Sequence, residues 1–481
     1  MSDTPTTESS EKISFPDPSV YLLNPGNSRK AIEAGLAEAD WYQSPVPIEK
    51  LRALLVRKDG PAIRDTLLWF GLIFGAAAIT IILWGTWWAI FPYLIYAALY
   101  AGSADARWHE GLHGTAFKTD WMNNALYQIA SFMVLREGTV WRWSHTRHHS
   151  DTIILGRDPE IAVPRPPDVT GMIKGLFALR TYPEYFGNLI RHSLGQVSER
   201  EREFIPESEF PRIVQTARIH LSIYLATVIT TLVLQSWLPL FFIGLPNLFG
   251  TWLMSLFGLT QHTGLAENVL DHRLNSRTFL TNPLNRFLYW NMNYHIEHHM
   301  FPLVPYHALP KLHEIVKNDC PPPHSSLWSC WQEIIPTVAR QTEDPGHHVE
   351  RTLPKSCPTK NITPAKIAAT FQQDGWTEIC PSDALQEKDV LRFDQGEQTY
   401  AIYRDEDGNL YATDGICTHG RTHLAGGLVI GKMIECPKHN GRFNLEDGSP
   451  ARKPVCKSLH THDIKEENGK IKFRSLVESS L

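Results

Sequence analysis

Two long stretches of the chain contain no charged side chain, and this feature restricts the possible folds most strongly. The first, residues 66–104, is 39 residues long, about twice the roughly 20 residues that one membrane-spanning helix needs. Gly85 and the tryptophans beside it divide this stretch near its middle, which predicts a helical hairpin. The second, residues 219–266, is broken at residues 235–239 and predicts another hairpin. We therefore expect four transmembrane helices.

Topology follows from the position of the charged residues. With four spans, the N-terminus, the loop 105–218 and everything after residue 266 share one side of the membrane. The short connections on the other side carry no lysine or arginine, so the positive-inside rule places the shared side, with both termini, in the cytoplasm. Residues 121–135 are uncharged but too few to span, and we interpret them as re-entrant or interfacial. Residues 171–197 are expected to lie on the cytoplasmic membrane face.

Composition and charge exclude several classes of protein. A net charge of −5 provides no basic field, so we expect no nucleic-acid partner. Seven cysteines without dense spacing argue against a secreted disulfide framework and for a reducing compartment. Residues 1–28 are polar without the apolar core of a signal peptide and predict a disordered N-terminal tail.

Histidines recur at helical spacing on the side that we predict to be cytoplasmic. The three motifs are His109-x3-His113, His145-x2-His148-His149 and His295-x2-His298-His299. Residues i, i+3 and i+4 project from one side of an α-helix, so each motif presents its imidazoles to one point. Imidazole suits iron, and eight imidazoles exceed what one ion needs. The motifs therefore predict a non-haem di-iron centre with both metal ions on the cytoplasmic side.

One further histidine and three acidic residues lie near the motifs, and the sequence leaves two interpretations open for each of them. His262 follows the last predicted span and is either a ninth ligand or an ordinary interfacial histidine. Asp151, Asp158 and Glu160 follow the second motif. They are either hydrogen-bond partners of metal-bound histidines or solvated loop charges.

The chain changes character near residue 341. Residues 341–370 are rich in proline and polar side chains and predict a linker between a membrane domain at 29–340 and a second domain at 371–481. Short alternating segments separated by turn residues predict that the second domain is small and all-β. Two of its loops carry Cys417-x-His419 and Cys436-x2-His439. Two thiolates and two imidazoles match a Rieske [2Fe–2S] cluster, and they also match the ligand set of a zinc site.

The histidine segments resemble a known family. Residues 141–149 (WRWSHTRHH) and 293–302 (NYHIEHHMFP) are similar to the membrane fatty-acid desaturase and hydroxylase superfamily, and the resemblance extends over residues 66–310. Segments 156–160 (GRDPE) and 261–267 (QHTGLAE) resemble a branch associated with rhizopine catabolism, whose members are oxygenases paired with a Rieske ferredoxin. The resemblance implies a di-iron centre held by the three motifs, with His262 as a further ligand.

The two C-terminal loops resemble Rieske ferredoxins of oxygenase systems along residues 375–475. The flanking residues carry the likeness, with CTHG at 417–420 and CPKHNGRF at 436–443. Neither loop has the additional cysteine that forms a disulfide in the respiratory-complex type. The resemblance implies a lower-potential [2Fe–2S] cluster held by Cys417, His419, Cys436 and His439.

These features predict an all-α membrane domain, with four transmembrane helices and a cytoplasmic helical cap, followed by an all-β Rieske domain. We expect a multi-pass membrane enzyme that activates O2 to hydroxylate or oxidatively demethylate an unactivated C–H bond of a hydrophobic or amphiphilic small molecule. Because no nucleotide-binding glycine motif follows a strand, electrons from NAD(P)H are expected through a separate flavin-dependent ferredoxin reductase. Two alternatives stay open, an acyl-lipid desaturase with the same di-iron centre and a non-catalytic membrane electron carrier.

Overall fold

The computed structural model describes residues 17–37, 39–354, 370–371 and 375–475. The α-helices, numbered α1–α17 in chain order, are Pro25–Glu33, Ile48–Leu55, Asp59–Ile82, Ile90–Ala97, Ala104–His113, Asp120–Met133, Gly138–Ser150, Val169–Leu176, Thr181–Ser193, Glu199–Arg202, Phe210–Val233, Pro246–Gly258, His272–Asn275, Pro283–Leu288, His295–Met300, Leu309–Val316 and Leu327–Gln341. Short 3₁₀-helices lie at Pro18–Tyr21, Trp87–Ala89, Glu207–Glu209, Ser382–Ala384 and Leu424–Gly426, and π-helical turns at Ala98–Gly102 and Leu240–Gly244.

Among the described residues, three helical stretches are long and apolar enough to cross a membrane. They are Asp59–Ile82, Glu207–Val233 and Leu240–Gly258, and all three fall on the two predicted hairpins. The remaining predicted span corresponds to α4, which continues through the π-helical turn Ala98–Gly102 and leads into α5. Because each of these pieces alone is shorter than a full span, the number of four transmembrane helices stays a prediction.

One close contact between the membrane helices lies at a glycine. An added Cβ at Gly250 of α12 would lie 1.8 Å from the carbonyl oxygen of Ala97 on α4, so only glycine permits this packing. The contact holds α12 against the helix that leads into α5. Large apolar side chains such as Ile82 and Leu232 stay exposed on α3 and α11, as expected for surfaces that face lipid.

The segments expected beside the membrane are helical. Most of residues 121–135 belongs to α6, and most of residues 171–197 belongs to α8 and α9. Exposed apolar side chains on these helices include Trp121, Ile173 and Ile190. These side chains suit an interfacial position, which stays a prediction.

The N-terminal segment is more ordered than the sequence predicted. Residues 1–16 of the expected disordered tail lie outside the described residues, but α1 begins inside the expected tail, at Pro25. Asn24 caps this helix by accepting a hydrogen bond from the Asn27 backbone, and proline suits the first helical position. The Tyr21 hydroxyl donates to Glu267 at 2.8 Å. The prediction of disorder is therefore wrong for residues 17–28, because local capping and a distant carboxylate hold them.

The expected linker is described only in its first part. Residues 342–354 contain no helix or strand, and residues 355–369 lie outside the described residues. The described part packs against the helical domain, because the Val349 backbone donates to the Gly264 carbonyl and Arg351 pairs with Glu333.

The C-terminal domain is built of antiparallel strands. Its strands, numbered β1–β11, are Thr370–Phe371, Thr377–Pro381, Asp389–Gln395, Gln398–Arg404, Leu410–Asp414, Leu428–Ile430, Met433–Glu435, Arg442–Asn444, Pro450–Arg452, Asp463–Glu467 and Lys470–Arg474. They form three sheets with the orders β1-β2-β11-β10, β3-β4-β5 and β6-β7-β8-β9. The prediction of an all-β domain is confirmed.

Strand β4 contributes to both hydrophobic cores of this domain. Alternate side chains of a strand point to opposite faces, so Ala401 and Tyr403 pack in the core that contains the cysteines of the loops. Tyr400 and Ile402 pack in the other core, with Phe473. The two loops that carry cysteine and histidine therefore rest on a well-packed support.

Candidate metal centres

The nine histidines predicted as iron ligands lie together at one end of the helical domain. α5 carries the first motif, α7 the second and α15 the third, and His262 lies in the turn after α12. Eight of the nine side chains are buried, and His262 is half-buried. Each motif lies within a helix, as its spacing predicted. The convergence of the three helices is a result of tertiary packing.

The nine side chains form two groups. The first contains His109, His113, His145, His149 and His298, and the second contains His148, His262 and His299. Within each group, the candidate ligand atoms lie within 4.8 Å of one another. His295 joins the second group, because its Nε2 lies 3.0 Å from Nε2 of both His262 and His299. Two clusters of imidazole nitrogens form a donor set for two metal ions.

Two of these imidazoles form hydrogen bonds to carboxylates through Nδ1. Nδ1 of His145 lies 2.9 Å from Glu160 Oε2, and Nδ1 of His148 lies 2.9 Å from Asp158 Oδ2. A carboxylate only accepts, so each Nδ1–H donates and each Nε2 keeps its lone pair for a metal. Asp151 instead pairs with Arg147 of α7 and with Arg157 of the loop that follows it. Of the three acids that the sequence left open, Asp158 and Glu160 are thus partners of the histidines.

Buried nitrogens fit a metal-binding role. Nε2 of His113 and Nε2 of His145 have no hydrogen-bond partner among the described residues, although a buried unpaired polar atom costs about 1–3 kcal/mol. Burial and the neighbouring imidazoles of His113 and His145 hold the pKa of His149 well below its usual range. Burial, His145 and His148 do the same to the pKa of His298. These imidazoles are therefore neutral at pH 7, which is the protonation state that a metal requires.

Asp158→Asn is expected to weaken iron binding without unfolding the helical domain. The amide has the same shape but removes the charged acceptor of His148 Nδ1–H, and loss of such a partner costs about 10–100-fold in metal affinity. Iron retention against a chelator measures the effect. Asp168→Asn is the matched control. Asp168 accepts a backbone N–H at the start of α8, but its side chain is far more exposed than that of Asp158. Equal iron retention by both variants would contradict the assigned role.

The four predicted cluster ligands lie on two neighbouring loops of the β domain. Cys417 and His419 lie between β5 and β6, and Cys436 and His439 lie between β7 and β8. Nδ1 of His419 is 3.1 Å from Nδ1 of His439. The hydrogen bond between the two thiols lowers the pKa of Cys417 to about 7 and raises the pKa of Cys436 well above its usual range, so the pair readily loses one proton to give a metal-binding thiolate. The paired thiols and paired imidazoles fit a [2Fe–2S] cluster.

The β domain places one of these loops directly against α7. The Ser150 hydroxyl lies 3.1 Å from the Thr146 carbonyl, to which it donates, so its oxygen accepts from Nε2–H of His439 at 2.7 Å. This assignment leaves the lone pair of His439 on Nδ1, the atom that faces His419. A narrow cleft is lined by His113, His149 and His439 together. Candidate ligands of both metal centres therefore line the same cleft.

A buried carboxylate anchors this arrangement. Glu435 of β7 is fully buried and pairs with Arg57 of the helical domain and with Arg442 of its own domain. Burial opposes the charged form, but Arg57, Arg452 and Arg442 outweigh it and lower the pKa of Glu435 to about 2. Arg442 also pairs with Asp120 of α6 at 2.6 Å. These ion pairs fix the orientation of the two domains.

One contact between the domains lies beside a glycine. Gly114 ends α5 with φ of +68°, a left-handed conformation that glycine adopts without strain. An added Cβ would also lie 1.9 Å from Nη2 of Arg452, whose guanidinium donates to the His113 carbonyl at 3.1 Å. The β domain therefore contacts the last residue of the first histidine motif.

Arg57→Gln is expected to loosen the β domain from the helical domain. Glu435 keeps its ion pair with Arg442, so the substitution should cost less than the ~3–5 kcal/mol of a fully unpaired buried charge. We expect the free energy of docking between the two domains to fall by about 2 kcal/mol, which is roughly 30-fold in the docking equilibrium. Reductase-driven turnover should fall while iron content and the cluster spectrum stay unchanged. Arg64→Gln is the control, because Arg64 is exposed and, within the described part of the chain, pairs only with the adjacent Asp65. Unchanged turnover in Arg57→Gln would show that this ion pair does not hold the productive arrangement.

Sequence reasoning missed the residues that join the domains. Ser150 directly follows the second motif, but a serine there gives no signal of its role. Arg57 and Glu435 are 378 positions apart, and no local pattern pairs such residues. His272, which lacks motif spacing, stacks on Trp41, and its ring centroid lies 5.0 Å from that of His299.

Comparison with known proteins identifies both domains. The sequence model of the fatty acid desaturase family matches residues 60–331, which is more than half of the chain. The model of the Rieske [2Fe-2S] domain matches residues 375–463. The second match decides between the two ligand sets that the sequence left open, in favour of the Rieske cluster over zinc.

Individual relatives match about a fifth of the chain. The ferredoxin component of the naphthalene 1,2-dioxygenase/salicylate 5-hydroxylase systems of Ralstonia sp is 34% identical over 99 residues, which are 21% of this chain and 94% of the ferredoxin. Cholesterol 7-desaturase nvd of Bombyx mori is 35% identical over 107 residues, 22% of either chain. A solved complex of reduced oxygenase and oxidised ferredoxin in carbazole 1,9a-dioxygenase contains a chain with 30% identity and a TM-score of 0.21, covering 22% of this chain and 98% of that one.

The comparisons and the histidine clusters agree with the predicted family, enzyme class and cofactors, which are confirmed. The protein is an oxygen-dependent oxidoreductase with a di-iron centre and a Rieske cluster as cofactors. Its apolar helices and its family make it a membrane protein. The chain belongs to the fatty acid desaturase family and carries a Rieske [2Fe-2S] domain at its C-terminal end.

Proposed function

We propose that this protein is a membrane oxygenase that hydroxylates, or oxidatively demethylates, an unactivated C–H bond with electrons delivered through its own Rieske domain. The observation that carries this proposal is the hydrogen bond between His439 of the cluster loop and Ser150 of α7. Ser150 is the direct neighbour of His149, and α7 carries three of the candidate iron ligands. This contact supports electron transfer from the Rieske cluster to the di-iron centre, because it joins a cluster ligand to the residue next to His149.

The proposed ligands are the nine clustered histidines for iron and the four loop residues for the cluster. When bound, the di-iron centre supplies O2 activation and the cluster supplies single electrons. Hydroxylation consumes one O2, two electrons and two protons per C–H bond and yields the alcohol and one water. The chain contributes by orienting the imidazoles through Asp158 and Glu160 and by burying the ligands away from bulk water.

A separate NAD(P)H-dependent flavin ferredoxin reductase is the proposed electron source. His439 is buried against α7, whereas His419 keeps an exposed surface although its ring lies 6.5 Å from that of Trp143 on the same helix. The exposed surface of His419 is the proposed point of electron entry, and His439 the proposed exit. Ile416, beside the first cluster loop, is 38% exposed and adds an apolar contact for the partner protein.

We also propose four membrane spans, with both termini and both metal centres in the cytoplasm. The continuous helical path from α4 through Ala98–Gly102 into α5 supports the fourth span. An odd number of crossings would separate His109 from the second motif across the membrane, whereas these side chains are neighbours. Cysteine accessibility at the connection near Gly85 tests the topology.

A desaturase that acts on a lipid is the second candidate function. The observation in its favour is the similarity to cholesterol 7-desaturase nvd. Both reactions use the same site, and they differ in outcome because hydroxylation inserts an oxygen atom whereas desaturation removes two hydrogens.

Purified full-length protein tests the proposed function. About four irons and about two acid-labile sulfides per chain are expected, two irons at each centre. Cells that express the chain with a compatible reductase under ¹⁸O2 should yield a product with one ¹⁸O atom or a demethylated product, identified by mass spectrometry. A product that lacks two hydrogens and carries no ¹⁸O would support the desaturase instead. No O2-dependent product from iron-loaded protein would refute both candidates.

A further inference from the structure

A large groove lies between helices of the membrane domain. It measures about 1250 Å³, more than the ~300–1,000 Å³ of sites for drug-sized ligands. Apolar side chains of α3, α6 and α11 line one part of it, and they are Phe70, Ile73, Phe74, Ala77, Ile129, Phe132, Met133, Ile219 and Ile223. None of the nine histidines is among the described residues that line the groove. It is therefore a site separate from the metal ligands.

Charged side chains of both domains line another part of the groove. They are Arg142 of α7, Glu209 and Arg212 at the start of α11, and Arg452 and Lys453 of the Rieske domain. Four cations thus accompany one carboxylate, that of Glu209, which pairs with Arg212 at 3.5 Å and with Lys453. The groove therefore has an excess of positive charge where the two domains meet.

The protein itself neutralises these cations only in part. Among the described residues, the hydrogen-bond acceptors of Arg142 are neutral, namely the Leu112 carbonyl at 3.5 Å and Asn124 at 3.4 Å. Burial lowers the pKa of Arg142, and the nearby Arg212 guanidinium lowers it further. Nη1 of Arg452 is buried and has no hydrogen-bond partner within the described part of the chain. An anion here would reduce the repulsion and supply acceptors.

The position of the charges along α11 fits a lipid that lies with its head group at the membrane surface. Arg212 lies near the start of this helix, and Ile223 lies about 16 Å further along the helix axis. One leaflet contributes about half of the ~30 Å hydrocarbon core of a bilayer. The charged part of the groove is therefore at the depth of lipid phosphates when the apolar part lies in one leaflet.

We propose that this groove binds one anionic phospholipid, which joins the two domains. The phosphate lies between Arg142 and Arg212 of the helical domain and Arg452 and Lys453 of the Rieske domain, and the acyl chains lie along the apolar part. Because the head group contacts both domains, lipid binding and docking of the Rieske domain strengthen each other by the same factor. This role is independent of the reaction at the di-iron centre.

Guanidinium groups separate the groove from the candidate iron ligands. Arg142 and Arg452 also line the narrow cleft beside His113 and His149. This cleft measures about 20 Å³, room for about one water molecule. An acyl chain would have to displace both guanidinium groups to reach the histidines. The lipid is therefore a bound partner and not the substrate.

Substitutions on two helices test the two parts of the groove. Arg212→Gln removes a cation whose side chain is 63% exposed, so the variant should fold. Arg218→Gln is the matched control, because Arg218 is an exposed arginine of the same helix outside the groove. Ala77→Phe fills the apolar part. Gly75→Phe is its control, because Gly75 is outside the groove and an added Cβ there meets no heavy atom within 4 Å.

Native mass spectrometry of the full-length protein in detergent measures lipid binding. The probes are dioleoylphosphatidylglycerol, which is anionic, and dioleoylphosphatidylcholine, which has the same chains and no net charge. We expect one phosphatidylglycerol to bind at least ~10-fold more tightly than phosphatidylcholine. Arg212→Gln should weaken its binding about 5-fold, the effect of one basic residue near anionic lipid. Ala77→Phe should abolish binding, whereas Arg218→Gln and Gly75→Phe should not change it.

Hydrogen exchange of the full-length protein in bilayers of each lipid measures docking. Backbone amides of the cluster loop at residues 436–443 should exchange at least ~3-fold more slowly in phosphatidylglycerol than in phosphatidylcholine. Arg212→Gln should lose most of this difference. In phosphatidylcholine it should behave like the wild type, because the ion pair of Arg212 is with Glu209 of its own domain. Iron content and the cluster spectrum verify that each variant is folded.

Four results would contradict the proposal. Equal binding of the two lipids, or equal loss of binding in Arg218→Gln and Arg212→Gln, would overturn the anionic site. Equal loss in Gly75→Phe and Ala77→Phe would overturn its placement in the groove. Tight binding of phosphatidylglycerol without slower exchange at residues 436–443 would overturn the coupling to docking. Recovery of hydroxylated or desaturated phosphatidylglycerol after incubation with NADH and reductase would make the lipid a substrate and overturn its role as a bound partner.

Discussion

His298→Ala is expected to abolish turnover and to remove iron from the helical domain, while the [2Fe–2S] spectrum stays intact. His298 lies at the centre of the first group, with Nε2 2.7 Å from His109 Nε2 and 3.3 Å from His149 Nε2. Loss of a ligand should lower activity by more than the ~10–100-fold that loss of an outer hydrogen-bond partner causes. Iron analysis and the product assay measure the two effects together.

His347→Ala is the control for this substitution. His347 lies outside both histidine groups, in the segment after α17, and is half-buried. Removing it tests whether loss of a histidine elsewhere lowers activity. Full turnover in His298→Ala, or equal iron loss in His347→Ala, would refute the assignment of the first group as an iron site.

Cys436→Ser is expected to remove the [2Fe–2S] spectrum and to stop reductase-driven turnover. Serine does not replace a thiolate as a soft ligand, so the cluster is lost. The nine histidines lie in the other domain, so iron there should be retained. Electron paramagnetic resonance, iron analysis and NAD(P)H-driven product formation distinguish these effects.

Two further measurements make this prediction specific. Cys456→Ser is the matched control, because Cys456 belongs to the same domain but is exposed and lies outside the cluster loops. An intact separate Rieske domain, added near the ~mM effective concentration of a short linker, should restore part of the turnover. Wild-type turnover by Cys436→Ser with reductase alone would show that electrons bypass the cluster.

Both metal motifs were readable in the sequence because their geometry is local. The i, i+3, i+4 spacing places the imidazoles of residues 145–149 on one side of any helix, whatever that helix packs against. Likewise, Cys417 and His419 are close because a tight loop connects them. The two uncharged stretches predicted apolar helices for the same reason, since every side chain within them suits lipid.

Local spacing did not reveal the roles of residues outside the motifs. Asp151 and Asp158 are both acids that follow the second motif, yet only Asp158 contacts a histidine of that motif. The difference depends on how the loop after α7 turns back, which spacing does not specify. The ordered segment at residues 17–28 was missed because its hydrogen-bond partner, Glu267, is 246 positions from Tyr21.

The sequence by itself determined the two kinds of metal site, the family and the two-domain order, because these depend on residue type and short-range spacing. Only the tertiary structure decided that the histidines divide into two groups and that His439 faces Ser150. The physical reason is that these features need contacts between residues far apart in the chain, such as Arg57 and Glu435. Such contacts form only when hydrophobic burial and ion pairing have fixed the packing of helices and domains.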